Sequence, residues 1–209
     1  MSLVKICGIN SPAAFDAAVE AGADYIGFVF FEASPRYVTP VEAAVLSARH
    51  RGAKPLRVGL FVNPGFDEIE AALREISLDI LQVHASASLV APLRDRFGRP
   101  VWRQLGVSTA TDFPAPDEFA DGYIVEAKPP PGATRPGGNA VRADWNLLAH
   151  FCSAKPWLLA GGLRPDNVAE ALRITGAPGV DVSSGVETAP GQKSSELIRR
   201  FIAAARGWI

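Results

Sequence analysis

The chain has little of what several protein classes require. Two cysteines, Cys7 and Cys152, in 209 residues make no disulfide framework, and three histidines standing singly give no zinc-ligand spacing. No apolar run is long enough to span a bilayer. The chain reaches the charged, strand-like Leu3-Val4-Lys5-Ile6-Cys7 at once, where a secretory signal would place an unbroken apolar core. A cytoplasmic protein with no membrane partner is expected. Neither charge is in excess, and a formal net charge of -1 gives no electrostatic footprint for nucleic acid. With 48% hydrophobic and 21% charged residues the composition is globular. The length suffices for one well-buried core, so residues 1–209 are expected to form a single domain.

What is present is a repeat. Short runs rich in Val, Ile and Leu recur eight times: Leu3–Ile6, Tyr25–Phe30, Leu56–Val62, Ile80–His84, Val101–Val107, Tyr123–Glu126, Trp157–Ala160 and Val180–Ser183. Turn residues and usually an alanine-rich amphipathic stretch follow each run, as parallel strands with crossover helices require. Ser11-Pro12 and Thr39-Pro40 read as helix caps with a first-turn proline, and Arg164-Pro165-Asp166 as the opening of the helix after the seventh strand. Phe66–Ile76 and Glu196–Ala205 have helical spacing of apolar residues. Pro114 and Pro116 break the stretch between the fifth and sixth runs, so the fifth helix should be short or missing. Eight such units predict an α/β fold, a single (β/α)8 TIM barrel. A doubly wound sheet is the alternative, but no G-x-G-x-x-G follows the first run.

The strand ends carry the chemistry. A strand over residues 3–7 puts Lys5 and Cys7 on one face, and an ammonium beside a thiol favours the thiolate. A small buried apolar residue is the other reading of Cys7. Glu126 ends the sixth run as an acid-base group or a partner for Lys128. Arg36, in Ser34-Pro35-Arg36, could hold a substrate carboxylate with its planar guanidinium. Gln82 and His84 share one face of the fourth strand. Ala160-Gly161-Gly162-Leu163 and Val182-Ser183-Ser184-Gly185 follow the seventh and eighth runs, where barrels often bind phosphate through loop N–H groups. Lys128-Pro129-Pro130-Pro131-Gly132 and Pro136-Gly137-Gly138 have a mobile-loop composition, and Gly137 and Gly138 would permit closure over a ligand. A phosphate between strands seven and eight, flanked by Cys7 and Glu126, suits proton transfer on a sugar phosphate, with no metal and no cofactor expected.

Taken in order, Lys5-Ile6-Cys7-Gly8, Phe28-Val29-Phe30 with Ser34-Pro35-Arg36, Val58-Gly59-Leu60-Phe61-Val62-Asn63, Leu81-Gln82-Val83-His84, Ala160-Gly161-Gly162-Leu163 and Asp181-Val182-Ser183-Ser184-Gly185-Val186-Glu187 closely resemble the phosphoribosylanthranilate isomerase family. The resemblance implies an Amadori rearrangement in tryptophan biosynthesis on a small phosphoribosyl substrate. It implies Cys7 as general base, Glu126 as general acid and Arg36 at the anthranilate end. Glu126 departs from the family's usual aspartate by one methylene; Ala85 stands in place of a glycine, and Asn139-Ala140 ends a sixth loop that is usually richer in glycine. Two other readings stay open: a related sugar-phosphate barrel enzyme, and a catalytically degenerate barrel that binds a phosphoribosyl ligand. A histidine-pathway isomerase would carry an aspartate near the end of strand one, where Cys7 stands. A monomer is the default expectation, with a dimer left open.

Overall fold

The computed structural model describes residues 1–115, 118–128 and 144–207. Eight parallel strands close into a barrel in chain order. They are β1 (Leu3–Cys7), β2 (Tyr25–Val29), β3 (Leu56–Val62), β4 (Ile80–His84), β5 (Val101–Val107), β6 (Gly122–Ala127), β7 (Trp157–Leu159) and β8 (Gly179–Val182). Every expected run is a strand, with no end shifted by more than one residue. Around them lie helices α1 (Pro12–Glu20), α2 (Pro40–Ser47), α3 (Phe66–Glu75), α4 (Val90–Phe97), α5 (Trp145–Leu148), α6 (Val168–Thr175) and α7 (Ser195–Arg206). Between β5 and β6 the described residues form only a 3-10 turn, Ala110–Asp112, as the prolines there predict.

The two-residue period of the strands sorts side chains into two cores. Val4 and Ile6 of β1, and Tyr123 and Val125 of β6, point outward into the layer shared with the helices. The intervening positions point inward. Tyr25, Val58, Ile80, Trp102, Ile124 and Leu158 fill the barrel's lower interior. Cys7 packs with Val29 and Leu60 nearer the carboxyl ends of the strands. The last helix shows how the outer ring is held: Ile198, Phe201, Ile202 and Ala205 of α7 are buried at helical spacing, and α7 packs on α1 and α6.

Ser11 and Thr39 cap α1 and α2 as expected, Thr39 in a full capping box with Glu42. One helix start is corrected. Residues 165–167 form a turn, and α6 begins at Val168. Asn167 ties this turn back to the loop after β7: its Oδ1 accepts the Arg164 N–H at 2.8 Å while its Nδ2 donates to the Gly162 carbonyl at 3.0 Å. A small antiparallel hairpin, β9 (Glu187–Ala189) and β10 (Gln192–Lys193), follows β8 and was not foreseen. Among the described residues no helix is long and apolar enough to cross a membrane. The proline- and glycine-rich stretch at 129–143, with Gly137, Gly138 and Asn139-Ala140, lies outside the described residues.

Candidate active site

Cys7 lies at the carboxyl end of β1 with its sulfur over Gly27 of β2, where a Cβ would stand 3.0 Å from Sγ. Lys5, two residues earlier on the same inward face, is wholly buried and donates from Nζ to Asp181 Oδ1 of β8 at 2.9 Å. The two are register partners, so the barrel's closure between β1 and β8 is what brings them together. Burial works against the Lys5 ammonium, but Asp181 and Cys7 more than offset it and raise its pKa above the ordinary lysine value. For the thiol the sequence expectation is corrected. Burial pushes Cys7 up; Lys5 pulls it down, Asp181 pushes it up, Lys193 pulls it down, and it ends above its ordinary value. Desolvation of the thiolate wins because Asp181 spends much of the Lys5 charge. The resting thiol is therefore protonated at neutral pH.

Glu126 is buried on β6, two residues beyond the inward-facing Ile124, and so points into the barrel from the side away from β1. Lys128 is not its ion-pair partner among those described: Nζ of Lys128 lies 3.2 Å from Asp112 Oδ1. Gln82 of β4 is buried and donates from Nε2 to Oε1 of Gln104 on β5 at 3.0 Å. Gln104 was not anticipated; its position two residues beyond Trp102 on the inward face is the signal that could have found it. His84 has its pKa lowered to about 4, by burial first and then by the Lys5 charge, and is a neutral imidazole at physiological pH.

Arg36 is buried in the loop after β2, and its guanidinium is already gripped. Nε donates to Glu187 Oε1 at 2.7 Å and Nη2 to Glu187 Oε2 at 2.9 Å. Glu187 also takes Lys193 Nζ at 2.6 Å. Glu187 and Lys193 stood in or beside the sequence motifs, but nothing in one dimension separates such charges from ordinary surface residues. Burial works against the Glu187 charge, yet Arg36 and Lys193 outweigh it and hold its carboxyl below the usual range.

The loops after β7 and β8 form one groove of ≈ 380 Å³, lined by Gly162, Ser184 and Gly185 with Arg164, Asp166 and Arg200. Gly161 and Gly162 have φ of 88° and 66°, the left-handed region open to glycine. Gly185 is fixed by contact: a Cβ there would sit 1.7 Å from the Leu163 carbonyl oxygen. The two glycine-rich segments are thus pressed together backbone to backbone. None of the described backbone hydrogen bonds uses the N–H of Gly161, Gly162, Ser184 or Gly185. Those donors are available for an anion. Ser183 differs from Ser184: its carbonyl and hydroxyl accept from Lys193 at 2.9 and 3.2 Å. Among the described residues no group of three or more His, Cys, Asp or Glu could hold a metal ion.

Residues 4–204 match the family model described as N-(5'-phosphoribosyl)anthranilate (PRA) isomerase. The N-(5'-phosphoribosyl)anthranilate isomerase of Acidiphilium cryptum is 53% identical over 205 residues, covering 98% of each chain. Among solved structures, phosphoribosyl anthranilate isomerase from Thermotoga maritima superposes with a TM-score of 0.84 at 32% identity, covering 99% of this chain and 100% of that one. A phosphoribosyl anthranilate isomerase in complex with reduced 1-(o-carboxyphenylamino)-1-deoxyribulose 5-phosphate gives a TM-score of 0.79 at 31% identity, with 99% and 100% coverage.

Proposed function

Because the chain belongs to the phosphoribosylanthranilate isomerase family, we propose that Cys7 and Glu126 are the base and the acid of its reaction. The enzyme converts N-(5'-phosphoribosyl)anthranilate to 1-(2-carboxyphenylamino)-1-deoxyribulose 5-phosphate, an aldose-to-ketose rearrangement in tryptophan biosynthesis. The observation that carries the residue assignment is positional. Two buried titratable side chains face inward at the carboxyl ends of β1 and β6, and the glycine-lined groove lies at the ends of β7 and β8 between them around the ring.

The substrate phosphate would sit in that groove on the N–H groups of Gly161, Gly162, Ser184 and Gly185. Ser183 supports the loop from behind by holding Lys193. Glu126, entering with a proton, donates it to the furanose ring oxygen as the ring opens to an imine. Cys7, entering as thiolate, takes the proton from C2 to give an enolamine, which tautomerises to the ketone. Since burial keeps the resting thiol protonated, the working base is a minor species drawn out by Lys5 and Lys193. Arg36 would receive the anthranilate carboxylate, with Gln82 and His84 along the opposite wall. The protein would work as a monomer, with the cytoplasm as its compartment.

The test follows the fluorescence of the anthranilate ribosyl phosphate as it is consumed by purified protein, beside Cys7→Ala and Glu126→Gln. Both variants should lose turnover while still binding a reduced product analogue. Turnover surviving either change would refute that assignment.

A further inference from the structure

The charge balance around Arg36 is the least expected feature of the site. An arginine meant to attract a carboxylate is already paired side-on with one, and Arg36 and Glu187 are both buried, with side chains 8% and 4% exposed. Taken alone that pair is neutral and would offer an incoming anion little. The third member changes the sum. The Lys193 side chain is wholly buried, its Nζ 2.6 Å from Glu187 Oε1, and its ammonium is surrounded by three acceptors: that carboxylate oxygen and the carbonyl and hydroxyl of Ser183. An ammonium has three N–H donors to match them, where a neutral amine has two. Arg36, Glu187 and Lys193 together carry one net positive charge.

The fold delivers this charge deliberately to the Arg36 loop. Glu187 and Lys193 are register partners across the β9–β10 hairpin. At the hairpin's turn, Gly191 packs so tightly on the Pro35 carbonyl that a Cβ would lie 2.2 Å from its oxygen. Its carbonyl accepts from Asn10 Nδ2 at 2.9 Å and its N–H donates to Glu187 Oε2 at 3.2 Å. The hairpin is therefore clamped to the loops after β1 and β2. With Nε and Nη2 of Arg36 spent on Glu187, Nη1 makes no hydrogen bond among the described residues.

We propose that Lys193 is a positioning residue that gives the buried Arg36–Glu187–Lys193 cluster its net positive charge, and so gives the site its preference for a substrate whose aryl amine carries a carboxylate. The inference rests on Arg36 receiving that carboxylate. Burial lowers the Lys193 pKa from the ordinary lysine value, with Glu187 and then Cys7 pulling the other way; among the described residues its Nζ donates to Glu187 and Ser183 alone, and its charge also reaches the Cys7 thiol.

The experiment measures, by calorimetry on the whole protein, dissociation constants for the reduced product analogue and for the same compound without its ring carboxylate. The dissociation constant of the second compound divided by that of the first is the preference. Lys193→Met should lower that ratio about tenfold or more, since a charge-assisted contact loses its charge in a desolvated place. Lys193→Arg should keep most of it. Lys193→Gln, which retains two N–H donors without charge, serves if the apolar variant does not fold. An equal weakening of both compounds would mean a structural role only and would overturn the proposal. So would an unchanged ratio in Lys193→Met and Lys193→Gln beside a lost ratio in Arg36→Met, which leaves the reading of Arg36 intact. A ratio unchanged in Arg36→Met as well would remove the carboxylate seat from Arg36 and both ideas with it.

Discussion

Replacing Gly185 by alanine probes the phosphate seat through geometry alone. The added Cβ would stand 1.7 Å from the Leu163 carbonyl oxygen, whereas real Cβ atoms stay beyond 3.0 Å. The obstacle is backbone, so no side-chain rotation relieves it, and the loops after β7 and β8 must part by roughly 1.3 Å. Inserting one methyl into a packed place typically costs about 1–3 kcal/mol. For a chain of this size that lowers the melting temperature by roughly 2–12 °C. The functional effect should be larger than the structural one. Gly162 on one loop and Ser184 and Gly185 on the other line the same groove, so separating them spoils the convergence of N–H groups on one anion. A displacement near 1 Å costs on the order of a hundredfold in kcat/KM. Steady-state kinetics with the fluorescent substrate should show the loss mainly in KM, and inorganic phosphate should inhibit less well. Ser184→Ala, which leaves the backbone in place, should change KM only a few-fold. A Gly185→Ala enzyme with KM within twofold of wild type and an unchanged melting temperature would refute the idea that the two loops build one seat.

Three further outcomes follow from the same structure. Glu126→Asp, which restores the residue usual in the family, should slow this enzyme by roughly a hundredfold because the acid recedes by about 1 Å on an unchanged strand; equal or faster turnover would show that the backbone is placed for aspartate. Lys5→Met leaves Asp181 buried without its cation and should cost about 3–5 kcal/mol in chemical denaturation. The double change Lys5→Met with Asp181→Leu should recover most of that, and a double variant no better than the single would mean the pair is not coupled. His84 has its folded pKa depressed to about 4 from 6.5, so the unfolded chain binds the extra proton. Its contribution to stability is complete above pH 6.5 and is lost as pH falls towards 4, at most about 3 kcal/mol. His84→Gln should flatten the denaturation midpoint against pH over that window, and an identical slope in both proteins would show that His84 is not held neutral.

Much of this protein is written in one dimension. The strand period places Lys5 with Cys7 and Ile124 with Glu126, and the prolines at 114 and 116 account for the want of an α-helix among the described residues between β5 and β6, because these are local consequences of backbone geometry. The glycine-rich strand ends were legible for a like reason: Gly161 and Gly162 take the left-handed backbone that glycine favours, and Gly185 leaves room for a close backbone approach. What the sequence could not decide is which charge meets which. Asp181 finds Lys5 only because β8 closes on β1, Gln104 finds Gln82 across two strands, and Glu187 and Lys193 reach Arg36 only through a hairpin clamped 150 residues away in the chain. The sign of the Cys7 shift turned on the same point. A neighbouring ammonium promised a lowered pKa, but its effect depends on how much water the fold removes and on whether a carboxylate from a distant strand already holds that ammonium. Local order follows from each residue's own bonds, whereas desolvation and ion pairing belong to the closed barrel.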